Sequence, residues 1–244
     1  LIMATKNGLI KKTSLDKYAS IRKNGLNAIN LREDDELIGV RVTTGDCQII
    51  YVTKNGYAIR FDERDVRPMG RIASGVKAIT LREGDAVVGM EIAQKDGELL
   101  VVSENGYGKR THIEEYSLQK RGGKGVITYK ISEKTGKVVG ARLVSDDEEI
   151  MLINNSGIAI RINVSDISTT SRNAMGVTLM KTTDEEKIVA MAKVNITEDN
   201  DLNKTCNHKE EVDVEDDYED IDMDEDNIDN VTIEDNDIDD NDYN

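Results

Sequence analysis

The sequence has no tryptophan, two cysteines and two histidines among 244 residues. Cys47 lies in the body of the chain and Cys206 in an acidic C-terminal stretch, so no disulfide framework holds a core together. Free thiols without a signal peptide make the cytoplasm the expected compartment. His112 and His208 form no cluster with cysteine at metal-ligand spacing, so neither a zinc site nor any other metal site is expected. No apolar run approaches the roughly 20 residues a membrane helix needs, and no membrane partner is expected. The chain opens on Leu1-Ile2-Met3-Ala4, which reads as a strand, so it is expected to be part of a longer protein.

The formal net charge is −16, but it is unevenly placed. Residues 197–244 hold 22 acidic side chains against Lys204 and Lys209. The 26 acids and 30 bases that remain make residues 1–196 a mildly basic body, net +4. The body reads as one folded domain. The stretch 197–244 reads as a disordered acidic tail, too poor in apolar residues to offset its ordering entropy.

The body repeats itself four times. An apolar run followed by Asn-Gly or Ser-Gly ends at Gly8, Gly56, Gly106 and Gly157. A basic residue follows the Asn or Ser by five positions each time, at Lys12, Arg60, Arg110 and Arg161. A second glycine recurs at Gly25, Gly75, Gly125 and Gly176, and a third small residue at Gly39, Gly89, Gly140 and Ala190. Three landmarks on one period of about fifty residues signal a repeat architecture. The runs are short, β-branched and bounded by glycine, as in Ile49-Ile50-Tyr51-Val52. Asn-Gly between two such runs predicts hairpins with positive φ at both turn residues. About four strands per repeat predict an all-β propeller, with blades at about 1–47, 48–97, 98–147 and 148–196. A β-sandwich of hairpins is the alternative, but it needs no strict period.

The third repeat carries Gln119-Lys120-Arg121-Gly122-Gly123-Lys124-Gly125. Glycines let a backbone approach closely and present its N–H groups, and the cations beside them suit an anion such as phosphate. The segment is no P-loop, because Gly-Lys-Gly leads into a strand rather than Gly-Lys-Ser into a helix. Other cations recur at fixed phases. Lys11, Lys12, Arg60, Lys109, Arg110 and Arg161 follow the hairpin turns. Arg22, Lys23, Arg71, Lys77 and Arg172 lie beside the second glycine. Constant phase places such residues on one surface of a repeat protein, here read as a phosphate-contacting band.

The seven-residue segment closely resembles the glycine-rich box, Gln-Arg-Arg-Gly-Gly-Lys-Gly, of the DNA gyrase A subunit's C-terminal domain, with Lys120 in place of the first Arg. ENGYGKRTHIEEY, TKNGYAIRFDERDVRPMGR and ATKNGLIKKTSL also resemble that domain, so the likeness covers all four repeats. It implies a β-pinwheel, a propeller with strands exchanged between blades, that wraps double-stranded DNA around its rim. It implies as partners the gyrase B subunit and the rest of the gyrase A subunit, in an A2B2 enzyme that introduces negative supercoils. ATP and Mg belong to other domains of that enzyme, and no cofactor is expected in this chain. The family's cleavage tyrosine follows an arginine, which none of the eight tyrosines here does, so no catalytic residue is expected. The family usually has six blades with its box in the first. The four here are expected to be later blades, and their box a variant copy.

Two rivals remain: the corresponding domain of topoisomerase IV, and a propeller that binds proteins. The tail segment Asp222-Met223-Asp224-Glu225-Asp226 resembles the start of a calcium loop, but Asn227 and Ile233 stand where Gly and Glu are required. The polyanionic tail beside a basic body is expected to compete with DNA for the band.

Overall fold

The computed structural model describes residues 1–20, 23–183 and 185–194. Arg22 and the acidic tail lie outside the described residues. Among the described residues, sixteen strands make four sheets, the successive blades of a propeller. The first repeat contributes β1 (Ile2–Thr5), β2 (Leu9–Lys12) and β3 (Leu37–Arg41); the second, β4 (Gln48–Thr53), β5 (Tyr57–Asp62), β6 (Val76–Lys77) and β7 (Val87–Ala93). The third contributes β8 (Glu98–Ser103), β9 (Tyr107–His112), β10 (Leu118–Gln119), β11 (Val126–Ile127) and β12 (Val138–Val144). The fourth contributes β13 (Glu149–Asn154), β14 (Ala159–Asn163), β15 (Val177–Thr178) and β16 (Ile188–Val194).

Each hairpin forms where Asn-Gly or Ser-Gly predicts it, but with a different turn. Only the glycines take positive φ, at +81° for Gly8 and +77° for Gly56 and Gly106. The Gly8 N–H donates to Thr5 O at 3.0 Å and the Gly56 N–H to Thr53 O at 3.0 Å. That pattern belongs to a hairpin with one left-handed glycine after the turn, so the asparagine does not need the left-handed region. The Oγ1 of Thr5 and of Thr53 accepts the N–H of Leu9 and Tyr57, both at 3.2 Å, which tightens the loop.

Sheets and repeats are out of phase. The short strand after the second glycine leaves its own repeat and pairs with the previous hairpin: β6 with β2, β11 with β5, and β15 with β9. This is the strand exchange of a pinwheel. The fourth sheet has three strands in the order β14-β13-β16, because no fifth repeat among the described residues supplies another.

The hydrophobic cores lie between sheets rather than within repeats. Ile2 and Ile10 pack with Ile49, Tyr51, Ile59 and Phe61; Ile50 and Val52 with Leu99, Val101 and Tyr129; Leu100 and Val102 with Ile150 and Leu152. The inner sheets thus bury one face against each neighbour, which explains why alternation is weak in runs such as β4, buried at five successive residues. The third landmark serves the innermost strands: a Cβ at Gly89 would stand 3.0 Å from Ala141 O on β12, so only a residue without one lets the two backbones come this close.

Candidate functional site

The glycine-rich segment sits across the seam between the second and third repeats. Gln119 pairs in parallel with Phe61 of β5. The chain then turns with Gly122 at φ +82° and Gly125 at φ +69°. The Gly122 N–H donates to Ala78 O at 2.6 Å. Thr80 answers with its N–H to Gly123 O at 2.8 Å and its Oγ1 to Gly122 O at 2.6 Å. A Cβ at Gly125 would lie 2.5 Å from Ala58 O, and one at Gly123 would lie 3.3 Å from Ile59 Cδ1. The glycines therefore serve close packing on the preceding blade. The Gly122 N–H, expected to face an anion, is taken by a carbonyl.

What the segment presents outward is charge. Lys120 and Lys124 are exposed and Arg121 is half-buried. Lys120 Nζ lies 3.0 Å from Asp65 Oδ1. Arg121 donates from Nε to Asp65 O at 2.8 Å and from Nη1 to Lys77 O at 2.9 Å. That last bond recurs. Arg71 reaches Asn27 O at 3.2 Å and Arg172 reaches Ile127 O at 2.8 Å. In all three, the arginine four residues before the second glycine grips the carbonyl two residues after the second glycine of the preceding repeat. The result is a ladder of guanidiniums, one per seam, each fixed through Nη1. Lys77 is exposed between them, and Lys23 is exposed beside Gly25.

The cations after the hairpin turns behave otherwise. Lys12 donates to Glu63 O at 3.1 Å, Arg60 to Ile113 O at 2.8 Å and Tyr116 O at 3.2 Å, and Arg110 to Ile167 O at 2.7 Å. These carbonyls bound the next repeat's 3-10 turns at Glu63–Asp65, Ile113–Glu115 and Val164–Asp166. Arg110 is also clasped by Glu98, at 2.7 Å, and Asp146. These side chains are inter-blade struts. Arg161, at the same phase, finds no such turn among the described residues and pairs with Glu149 while remaining exposed.

Lys11 and Lys109 are fully buried. Lys11 donates to Ala28 O and, at 2.6 Å, to Arg71 O; Lys109 donates to Ser171 O at 2.6 Å and Arg172 O at 2.5 Å. They hold the loops of the repeats that lack the glycine-rich segment. The second repeat has Ile59 at that phase, against Gly123. As phosphate contacts, Lys11 and Lys109 are corrected: a buried ammonium already gripping two carbonyls does not face a ligand. Burial pushes the Lys109 ammonium down to about 8, with Glu115 opposing and Arg172 reinforcing the shift. The unfolded chain keeps its proton up to about 10.5, so between the two values the unfolded state binds more protons. Lys109 thus lends stability that is fully present above the unfolded value and is lost as pH falls through about 8. Comparing wild type with Lys109→Met by denaturant titration from pH 7 to 10.5 checks this: the wild-type advantage grows with pH, and a constant difference contradicts it.

Several exposed cations were not legible as candidates, among them two after β5 and one after β11. Arg64, Arg67 and Lys130 face solvent on the loops flanking β5 and β11. Arg64 and Arg67 have no counterpart at the same phase in the other repeats, and Lys130 recurs only at Lys181, five residues after Gly176, so a search for four-fold recurrence passes over them. No group of three or more His, Cys, Asp or Glu among the described residues stands close enough to hold a metal ion.

The family profile described as "DNA gyrase C-terminal domain, beta-propeller" matches residues 1–44, 48–94, 97–145 and 148–195. The chain belongs to the DNA gyrase C-terminal domain family. Among curated gyrase-family relatives, it is 69% identical over 195 residues to the DNA gyrase A subunit of Clostridium acetobutylicum, covering 80% of this chain and 24% of that protein. It is 47% identical over 202 residues to the DNA gyrase A subunit of Staphylococcus epidermidis, covering 82% and 23%. The chain therefore spans about a quarter of the length of these relatives. Its gyrase-type fold superposes on the C-terminal domain of DNA topoisomerase IV with TM-score 0.75 at 30% identity, over 79% of this chain and 61% of that one. For the DNA gyrase A C-terminal domain the TM-score is 0.70 at 33% identity, over 79% and 64%.

Proposed function

We propose that this domain binds duplex DNA without reading sequence and bends it around the blade rim. As the C-terminal part of a gyrase A subunit, it works with the gyrase B subunit in an A2B2 enzyme of the bacterial cytoplasm. ATP and Mg act elsewhere in that enzyme. The wrap presents a second duplex segment to the cleavage centre in one handedness, so that strand passage introduces negative supercoils. The observation that carries the reading is the ladder of Arg71, Arg121 and Arg172, fixed at one end and flanked by exposed Lys77, Lys120 and Lys124. Fixed guanidiniums at successive seams suit a curved phosphate backbone, and bending DNA through a large angle costs several kcal/mol that contacts spread along the path offset.

Closing nicked circles with ligase in the presence of the protein tests wrapping. A shift in linking number that grows with bound protein is expected, and an unchanged distribution overturns the proposal. The fold likeness to the topoisomerase IV domain keeps that enzyme as the second reading. The glycine-rich segment and the 69% identical gyrase relative favour gyrase.

The acidic tail, residues 197–244, acts in this reading as an internal competitor for the rim. Ending the chain near Ile196 is expected to raise DNA affinity and wrapping. Equal affinity with and without the tail removes the tail from the account.

A further inference from the structure

Beside the glycine-rich segment lies a cleft of about 370 Å³ lined by Asp62, Arg64, Asp65, Leu118, Gln119 and Lys120. Each exposed cation here has its own carboxylate: Arg64 pairs with Asp62 at 2.5 Å, and Lys120 with Asp65 at 3.0 Å. The Arg64 guanidinium and backbone N–H hold the Asp62 carboxyl down at about 2, so that carboxylate stays charged at any working pH. Asp65 has two separate roles. Its backbone carbonyl accepts Arg121 Nε at 2.8 Å, which fixes the ladder arginine. Its side chain, far less exposed than Lys120 at 22% against 90%, meets the solvent-exposed ammonium of that lysine.

We infer that the Asp65 carboxylate is a resident counter-ion of the glycine-rich segment, occupying Lys120 until a DNA phosphate displaces it. This rests on the DNA-binding reading above. An exposed lysine–carboxylate pair is weak, so a phosphate, with higher charge density and many neighbours, exchanges for it readily. The exchange has a thermodynamic signature. Neutralising a phosphate releases a condensed cation from DNA, but the freed Asp65 takes up part of that cation, so the pair flattens the salt dependence contributed by Lys120. The carboxylate also keeps Lys120 from holding other anions when DNA is absent.

Asp65→Asn removes the charge and leaves the backbone carbonyl that holds Arg121. In the full-length protein that carries this domain, with its gyrase B partner, Asp65→Asn is expected to raise affinity for a mixed-sequence duplex about three-fold at low salt. It is also expected to steepen the salt slope by up to about 0.9. Both changes are expected to vanish when Lys120 is already Ala, and thermal stability is expected to stay at the wild-type value. Unchanged or weakened binding by Asp65→Asn overturns the inference. So does an equal gain in the Lys120→Ala background, which would show general charge removal rather than exchange at Lys120. Asp65→Ser, which also keeps the carbonyl, must reproduce the Asn result. If replacing Lys120, Arg121 and Lys124 together leaves DNA binding intact, the DNA-binding reading itself fails and takes this inference with it. If that triple change weakens binding while Asp65→Asn does nothing, only the counter-ion role is lost.

Discussion

Replacing Lys120, Arg121 and Lys124 by Ala is expected to weaken duplex binding about 10- to 100-fold near physiological salt and to flatten the salt slope by about 1.8 to 2.7, from roughly 0.9 for each lost phosphate contact less the part of the Lys120 contribution that Asp65 offsets. Lys120 and Lys124 supply exposed charge, whereas Arg121 also ties Lys77 and Asp65 across the seam. The double change at Lys120 and Lys124 separates these roles, because it leaves the seam bonds in place. It is expected to give about half to two-thirds of the slope change with no loss of thermal stability. Filter binding or fluorescence anisotropy at several salt concentrations reads both numbers. A triple variant that keeps the wild-type affinity and slope removes this segment from the DNA path.

The second large effect is on stability. Gly125→Ala places a Cβ 2.5 Å from Ala58 O while forcing alanine to φ +69°. The obstructing atom is backbone of β5, the strand of the preceding repeat on which β11 pairs, so no rotamer change relieves it. Left-handed strain and overpacking each contribute about 1–3 kcal/mol, for a total near 3 kcal/mol. For a domain of this size that lowers the thermal midpoint by about 6–12 °C. Gly70→Ala is the control: its Cβ meets nothing within 4 Å, and it is expected to change stability by less than about 0.5 kcal/mol. Calorimetry of the two variants checks the contrast. Equal midpoints would mean that the seam is not held as closely as Gly125 and Ala58 indicate.

The landmarks that announce the repeat also misdirect part of the site. A cation recurring five residues after Asn or Ser reads as a surface band, because constant phase implies a constant environment. The environment is constant, but it is the seam: Lys12, Arg60 and Arg110 reach carbonyls of the next repeat's 3-10 turns. Sequence periodicity cannot tell a recurring ligand contact from a recurring internal one, since blade geometry repeats both. Lys11 and Lys109 were illegible for a related reason. A lysine is expected outside, and only the three-dimensional meeting of loop carbonyls with the β2 and β9 side chains makes burial tolerable. The hairpins were legible because their turn chemistry is local. The exchange of β6, β11 and β15 between sheets was not, because a two-residue strand leaves no periodic trace. It entered only through the family likeness of the glycine-rich segment. The exposed residues Lys120, Lys124 and Arg67 share no four-fold recurrence, so the period gives no sign of them.

The central claim is that the rim binds DNA through phosphates, and a salt titration of duplex affinity tests it most directly. The account predicts a steep linear fall of log K with log salt, at about 0.9 per phosphate contacted, with the same slope for unrelated DNA sequences. Weak binding with almost no slope, as a protein-docking propeller would give, would contradict it.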